Sequence, residues 1–287
     1  MLKRILTGVV AFCFVLVPVL FFADTVALPI GVAVFTVIAT YEILHCVGLH
    51  KNLWLSLPLY LMSAAFPFAV RYLPVGCVHI SGESWLLLMP LFIFVPLLNT
   101  LAVAVFSHGK ADILDVSSAF VLWFYSVVGF NGLVYLHDSI PGGEYFYLLA
   151  FVGAWVTDTF AYFTGMLFGK HKLIPDVSPK KTVEGAVGGV VFCVLAFVGF
   201  GLLYNNLWVI EGGGKLPLWI MAVMGVLVSI VSQIGDLSLS LLKRKYGIKD
   251  FGKIFPGHGG VMDRFDSVLA VSIMLLVCFT ALSVLGL

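Results

Sequence analysis

The chain has 287 residues, 61% of them hydrophobic and 11% charged, with a mean hydropathy of +1.09. Soluble domains average about 45–50% apolar and about 25% charged residues, so this composition excludes an ordinary soluble protein and indicates a membrane protein. A formal net charge of +1 excludes nucleic-acid or other polyanion binding by the chain as a whole, so any basic function must be local.

A helix needs about 20 residues to cross a bilayer. Apolar runs of that order fall near 5–23, 26–47, 53–73, 84–106, 117–136, 144–168, 185–204, 217–243 and 267–286. The runs are continuously apolar rather than alternating, which favours helices over a barrel. The expected fold is therefore all-α, a polytopic integral membrane protein with about nine transmembrane helices. The first run follows Met1-Leu-Lys-Arg and resembles a signal peptide. It is longer than a typical h-region, no small-x-small site follows, and it is read as the first span.

The second run carries Glu42 and His45 on one face near its inner end. They either line a headgroup cavity or pair with each other. The third run is interrupted by Pro58, Pro67 and Arg71, which makes it the least regular.

The sixth run bears Asp158, Thr159 and Tyr162 and leads into the polar connection 169–184. There Ser178, Lys180, Lys181 and Thr182 place hydroxyl and ammonium donors at a helix start, a favourable setting for anionic phosphate. Ser178 with Glu184 as capping residues, and the lysines as topology signals, are the plainer alternative. Gly212-Gly-Gly214 reads as an outer turn without chemistry.

In the eighth run Asp236, Ser240 and Lys243 are spaced four and three apart, so they share a helical face. A carboxylate within the hydrocarbon layer costs about 2.5–3.5 kcal/mol even on insertion scales. Asp236 therefore implies a polar cavity, a cation or a function, with a structural ion pair as the alternative. The stretch Ser240–Asp266 then packs nine charged side chains into 27 residues.

Within that stretch, Pro256-Gly-His-Gly-Gly260 offers glycine amides, including those of Gly259 and Gly260, that phosphate can approach closely. His258 is either a phosphate donor or proton carrier, or a turn residue. Asp263 and Asp266 form a DxxD pair beside Arg264. Two carboxylates on one helix face suit Mg²⁺, while helix capping is the structural alternative. The neighbouring cations Arg244, Lys245, Lys249 and Lys253 are read mainly as juxtamembrane charge.

With the amino terminus inside, Lys3, Arg4, Lys51, Lys110, Lys170, Lys172, Lys180, Lys181, Lys243, Arg244, Lys245, Lys249, Lys253 and Arg264 face the cytoplasm, and only Arg71 and Lys215 face outward. This is a strong positive-inside bias, and nine crossings leave the carboxyl terminus outside. Two regions are expected: membrane helices over 1–140, and a catalytic membrane region over 141–287 with cytoplasmic loops 169–184 and 244–266. Cys13, Cys46, Cys77, Cys193 and Cys278 lie far apart and form no CxxC pair, so they read as small apolar fillers.

The segment Ser240 to Asp266 resembles the carboxyl-terminal signature of the CTP:phosphatidate cytidylyltransferase (CDP-diacylglycerol synthase) family. Its pattern is Ser-x-apolar-Lys-Arg-x4-Lys-Asp-x-small-x2-apolar-Pro-x-His-Gly-Gly-apolar-x-Asp-Arg-apolar-Asp. Asp158-Thr-x-Ala-Tyr162, Gly169-Lys-His-Lys172, Ser178-Pro-Lys-Lys-Thr182, Glu184-Gly185 and Gly235-Asp236 are also similar to family elements. The resemblance implies a helical membrane enzyme that joins CTP to phosphatidic acid, giving CDP-diacylglycerol and pyrophosphate.

It further implies metal-binding carboxylates at Asp236 and Asp263, with Asp266 as a third candidate, and an essential Lys243. Mg²⁺ is the expected cofactor, with room for a second, monovalent cation; the expected partners are CTP, phosphatidic acid and the bilayer, with room for a homodimer. His258, Ser178, Lys180, Lys181, Thr182, Ser240, Arg264, Gly259, Gly260 and Asp158 complete the expected site. A bacterial inner membrane is the expected location, with the site at the cytoplasmic face. The competing readings are a CTP-dependent polyprenol or lipid kinase, a CDP-archaeol-type synthase, and, from another class, an ion-coupled transporter using Asp158 and Asp236.

Overall fold

A computed structural model describes residues 22–72, 84–107, 109, 111–140, 142–208, 215–255, 257 and 259–285, without the side chains of 84–91 and 283–285. Nearly all of the first expected span, the Gly212–Gly214 turn and His258 lie outside the described residues. The helices are α1 (Ala27–Cys46), α2 (Leu53–Tyr72), α3 (Ser84–Phe106), α4 (Ile113–Ser139), α5 (Gly143–Phe146), α6 (Leu148–Phe168), α7 (Val183–Leu203), α8 (Leu218–Lys245) and α9 (Met262–Leu285). A π-helical turn, Tyr204–Trp208, extends α7. Among the described residues seven helical stretches are long and apolar enough to cross a membrane. The protein is thus a mostly helical, polytopic integral membrane protein.

The helices follow the apolar runs closely. α2 continues through Pro58 and Pro67, which membrane helices tolerate because neighbouring groups can satisfy the freed carbonyls. At its end, Arg71 Nη1 donates to the carbonyls of Ala23 at 2.9 Å and Thr25 at 2.7 Å. The cation that interrupts the apolar run therefore serves two backbone acceptors just before α1. α9 starts at Met262, several residues before the apolar run, so that Asp263 and Asp266 are helical.

The all-α expectation needs one addition. β1 (Lys172–Ile174) and β2 (Ser178–Thr182) form an antiparallel hairpin, pairing Lys172 with Thr182 and Ile174 with Ser178. Its turn is Ile174-Pro-Asp-Val177, closed by the Val177 amide on the Ile174 carbonyl at 3.3 Å. Proline at the second turn position presets the required φ, so the local sequence does encode this turn.

The chain divides into two compact units, Met1–Tyr135 with Tyr246–Arg264, and Leu136–Lys245 with Phe265–Leu287. In this division Tyr246–Arg264 groups with the amino-terminal helices, whereas the sequence reading assigns the whole connection 244–266 to the carboxyl-terminal region.

In the first unit α1 packs on α2 and α2 on α3. Leu44, Leu55, Leu59 and Trp123 belong to its buried cluster. A polar chain runs through this apolar interior. Thr40 Oγ1 lies 2.8 Å from Ser63 Oγ, and Trp123 Nε1 donates to the same serine oxygen at 2.9 Å. Glu42 does not pair with His45, which instead stacks on Tyr41 and packs its ring against His50. Farther along, the Tyr246 hydroxyl donates to Asp115 Oδ1 at 3.1 Å, tying the start of Tyr246–Arg264 to α4.

In the second unit α7 packs between α6 and α8. Glycine makes the approach close: a Cβ on Gly185 would lie 2.6 Å from the Ala161 carbonyl, and one on Gly189 would lie 3.0 Å from that of Thr157. On the other side, a Cβ on Gly225 would sit 2.8 Å from Val194 Cα. Small residues at such spacing let helices gain dispersion contacts where lipid supplies no hydrophobic drive. Cys193 is fully buried here, and Cys46, Cys193 and Cys278 are free thiols; Cys13 and Cys77 lie outside the described residues.

Interhelical hydrogen bonds within membranes contribute about 0.6 kcal/mol on average and up to about 1.7. Ser63→Ala removes both bonds to the Ser63 hydroxyl and should cost about 1–2 kcal/mol. A lowered thermal midpoint in detergent is the expected reading, and an unchanged midpoint would show that the Thr40–Ser63–Trp123 chain carries no stability.

Candidate active site

The second unit gathers charge on three membrane helices and the hairpin. Lys181, on β2, places Nζ 2.5 Å from Asp236 Oδ2 on α8. One helical turn on, the Ser240 hydroxyl lies 3.4 Å from Asp236 Oδ1, as the shared face of α8 requires. From α9, Ser267 Oγ donates to Asp158 Oδ2 on α6 at 3.0 Å, and the Ser267 amide donates to Asp266 Oδ1 at 2.8 Å. Asp158, Asp236 and Asp266 lie within one another's electrostatic reach, with Lys181 acting on Asp158 and Lys243 on Asp266. Three carboxylates and two ammonium groups thus belong to a single cluster.

Strand geometry selects the lysine. Successive side chains on a strand alternate in direction, so Lys181 meets Asp236 while Lys180 is exposed. Thr182, the next residue, is the N-cap of α7, its Oγ1 accepting the Gly185 amide at 3.1 Å. This capping role falls to Thr182, where the alternative reading of the sequence places it on Ser178; Ser178 pairs with Ile174 in the hairpin. Glu184 fixes the base of the hairpin, with its Oε1 2.6 Å from His171 Nδ1 and its Oε2 accepting the His171 amide at 3.2 Å.

An all-oxygen set of carboxylates suits a hard cation such as Mg²⁺. That ion uses one or two carboxylates and completes its octahedron with water and phosphate oxygens. The mutual repulsion of Asp158, Asp236 and Asp266 is the feature a divalent ion would relieve, and the donor set fits it. Among the described residues no three Asp, Glu, His or Cys side chains form a ready-made metal cage, and Mg²⁺ with a nucleotide does not require one.

Asp263 belongs to the first unit, whereas Asp236 and Asp266 belong to the second. Asp263 Oδ2 accepts two amides, from Phe251 at 2.8 Å and Gly260 at 3.0 Å. The Gly260 amide, which the sequence offers to phosphate, therefore faces a carboxylate in the first turn of α9. Gly259 has φ +83°, and a Cβ there would come within 2.8 Å of Asp263 Oδ2. Both the left-handed turn and the close carboxylate call for glycine. Phe255 donates its amide to the Gly259 carbonyl at 3.0 Å, closing the loop. Arg264 is exposed.

Glu42 is the residue whose role the sequence leaves open. Its side chain reaches from α1 to the start of α9, where Oε1 accepts the Val261 amide at 3.0 Å and Oε2 that of Met262 at 2.9 Å. Glu42 is only 1% exposed. Gly252 and Gly260 lie so close to this carboxylate that a Cβ at either would collide with it. The one sequence signal is a carboxylate within an otherwise apolar run; Ser267, the partner of Asp158, has no such signal.

The model of the cytidylyltransferase family matches residues 2–282. Three curated relatives named phosphatidate cytidylyltransferase align over 171 residues, 60% of this chain and 62% of each relative. That of Staphylococcus saprophyticus subsp. saprophyticus is 40% identical, that of Staphylococcus haemolyticus 39% and that of Staphylococcus epidermidis 37%. The chain therefore spans about 62% of the length of the curated relatives it matches. The family match, in contrast, runs over nearly all of the 287 residues, and the chain belongs to the cytidylyltransferase family.

Proposed function

We propose that the protein is a phosphatidate cytidylyltransferase of a bacterial inner membrane, converting CTP and phosphatidic acid to CDP-diacylglycerol and pyrophosphate at the cytoplasmic face. The observation that carries this reading is the Lys181–Asp236 ion pair within the cluster of Asp158, Asp266 and Lys243. Its setting on apolar membrane helices suits a substrate that is itself a lipid. The names of the relatives support the choice of substrates. The basic residues of the connections 169–184 and 244–266 support the cytoplasmic placement.

The chemistry follows from the substrates. An anionic oxygen of phosphatidate attacks the α-phosphorus of CTP. A new P–O bond forms, the bond from the α-phosphorus to the bridging oxygen breaks, and pyrophosphate leaves with that electron pair. No protein nucleophile is needed; catalysis consists of positioning and charge neutralisation. Asp236 and Asp266, with Asp158 beside them, would hold Mg²⁺, which when bound supplies charge neutralisation on triphosphate oxygens. Lys181 exchanges Asp236 for a phosphate oxygen, and Lys243 steadies the departing pyrophosphate. Ser267 orients Asp158, and Ser240 orients Asp236.

Purified protein given CTP, phosphatidate and Mg²⁺ should yield CDP-diacylglycerol and pyrophosphate in equal amounts, and chelation of the metal should stop both. Release of CDP with transfer of the γ-phosphate to a lipid would establish a kinase instead. Lys181→Met should lower kcat/KM about 10²-fold, the scale of one electrostatic stabilising group, and Asp236→Asn should remove most turnover. Near-normal steady-state rates for either variant would overturn its assignment. Thr182→Ala should instead cost about 1 kcal/mol of stability as a lost cap, seen as a lower thermal midpoint, while Thr182→Ser retains it.

A further inference from the structure

We infer that Glu42 is a positioning residue, a buried carboxyl latch that fixes the signature loop and the start of α9 in their working arrangement. This inference rests on the cytidylyltransferase reading for its link to turnover, but the latch itself is a matter of geometry. Four backbone amides around the loop converge on two carboxylates: those of Phe251 and Gly260 on Asp263, those of Val261 and Met262 on Glu42. Asp263 is local to the loop. Glu42 is distant in sequence, with separations of 219 and 220 residues from its two donors, and is the member that ties the loop to α1.

Three features mark this as more than an incidental contact. The first is chemical: amides at a helix start carry partial positive charge and attract an anion, and Glu42 occupies that place with one oxygen on each amide. The second is steric. Gly252 and Gly260, from opposite ends of the loop, both lie against the Glu42 carboxylate with no room for a Cβ, so the loop is shaped around this side chain. The third is burial, since 1% exposure leaves the carboxylate almost no water to replace lost amide bonds. The amides of Gly260, Val261 and Met262 are already bonded to protein carboxylates, so the helix start is filled by Glu42 and these three amides are not left for another anion.

Glu42→Gln keeps the size of the side chain but sets an NH₂ group against one of the two backbone donors. Hydrogen exchange of the full-length protein in detergent, followed by peptide, should show residues 251–262 exchanging at least about tenfold faster in this variant, with exchange in α6, α7 and α8 unchanged. The kcat for cytidylyl transfer should fall about 10–100-fold, the effect of a misplacement on the order of 1 Å, while KM for CTP stays within about threefold. Gly252→Ala, which pushes the carboxylate away without altering its charge, should reproduce the same local exchange pattern. Unchanged exchange over 251–262 in both variants, or equally faster exchange across all helices, would overturn the latch. Faster local exchange with normal kcat would overturn its role in positioning. Absence of cytidylyl transfer in the unsubstituted protein would sink the proposed reaction, while the exchange result would still decide separately whether the latch exists.

Discussion

A carboxylate on a membrane helix must find a cation or hydrogen-bond donors, because the hydrocarbon layer provides neither. The architecture follows from how this constraint is met. Asp236 is matched by the Lys181 ammonium, Asp158 by the Ser267 hydroxyl, Asp266 by the Ser267 amide, and Glu42 by the amides that begin α9. Three of these solutions draw an element that is distant in sequence toward a helix: the hairpin to α8, α9 to α6, and the glycine loop to α1. Apolar packing supplies the helices themselves, with glycines bringing α6, α7 and α8 into close contact. The carboxylates determine which polar segment belongs where.

The helices are legible in the sequence because lipid imposes a simple demand, about 20 apolar residues with all backbone groups bonded internally. α1, α2, α3, α7 and α8 begin and end within a few residues of their apolar runs. Where polar residues continue a helix, that criterion has nothing to read, and so α9 begins at Met262 rather than at the apolar boundary. The hairpin is hidden for a related reason: its exposed, charged residues look like any connection, and only Pro175-Asp176 encodes its turn. The shared face of Asp236 and Ser240 is readable from 3.6-residue periodicity. Glu42 is visible as an anomaly but not as a partner, since no local spacing connects it with donors 219 and 220 residues away.

The glycines illustrate how the same residue admits two physical explanations. In sequence, Gly259 and Gly260 suggest a backbone left bare for phosphate. In the structure, they leave room for the protein's own carboxylates: Gly259 lies against Asp263, while Gly260 lies against Glu42 and donates its amide to Asp263. A side chain would be excluded in either case, so glycine alone does not identify the anion. Hydrogen-bond partners do, and for the Gly260 amide the partner is internal, Asp263.

The two carboxylate clusters therefore differ in the freedom of their partners. Lys181 and Asp236 retain 27% and 24% exposure of their side chains, and ion pairs that still see solvent contribute only about 0–1 kcal/mol. Opening such a pair therefore costs little, and under the proposed reaction Lys181 and Asp236 can turn to a phosphate and a metal without a large loss to the protein. Glu42, at 1% exposure with both oxygens on backbone amides, is the opposite case. Removing its donors would leave a buried polar group unsatisfied, at a cost of about 1–3 kcal/mol, and the contact persists. For the proposed cytidylyl transfer, an exchangeable pair suits groups that must meet substrate and release product, and a lasting one suits a loop that must hold its shape through each turnover.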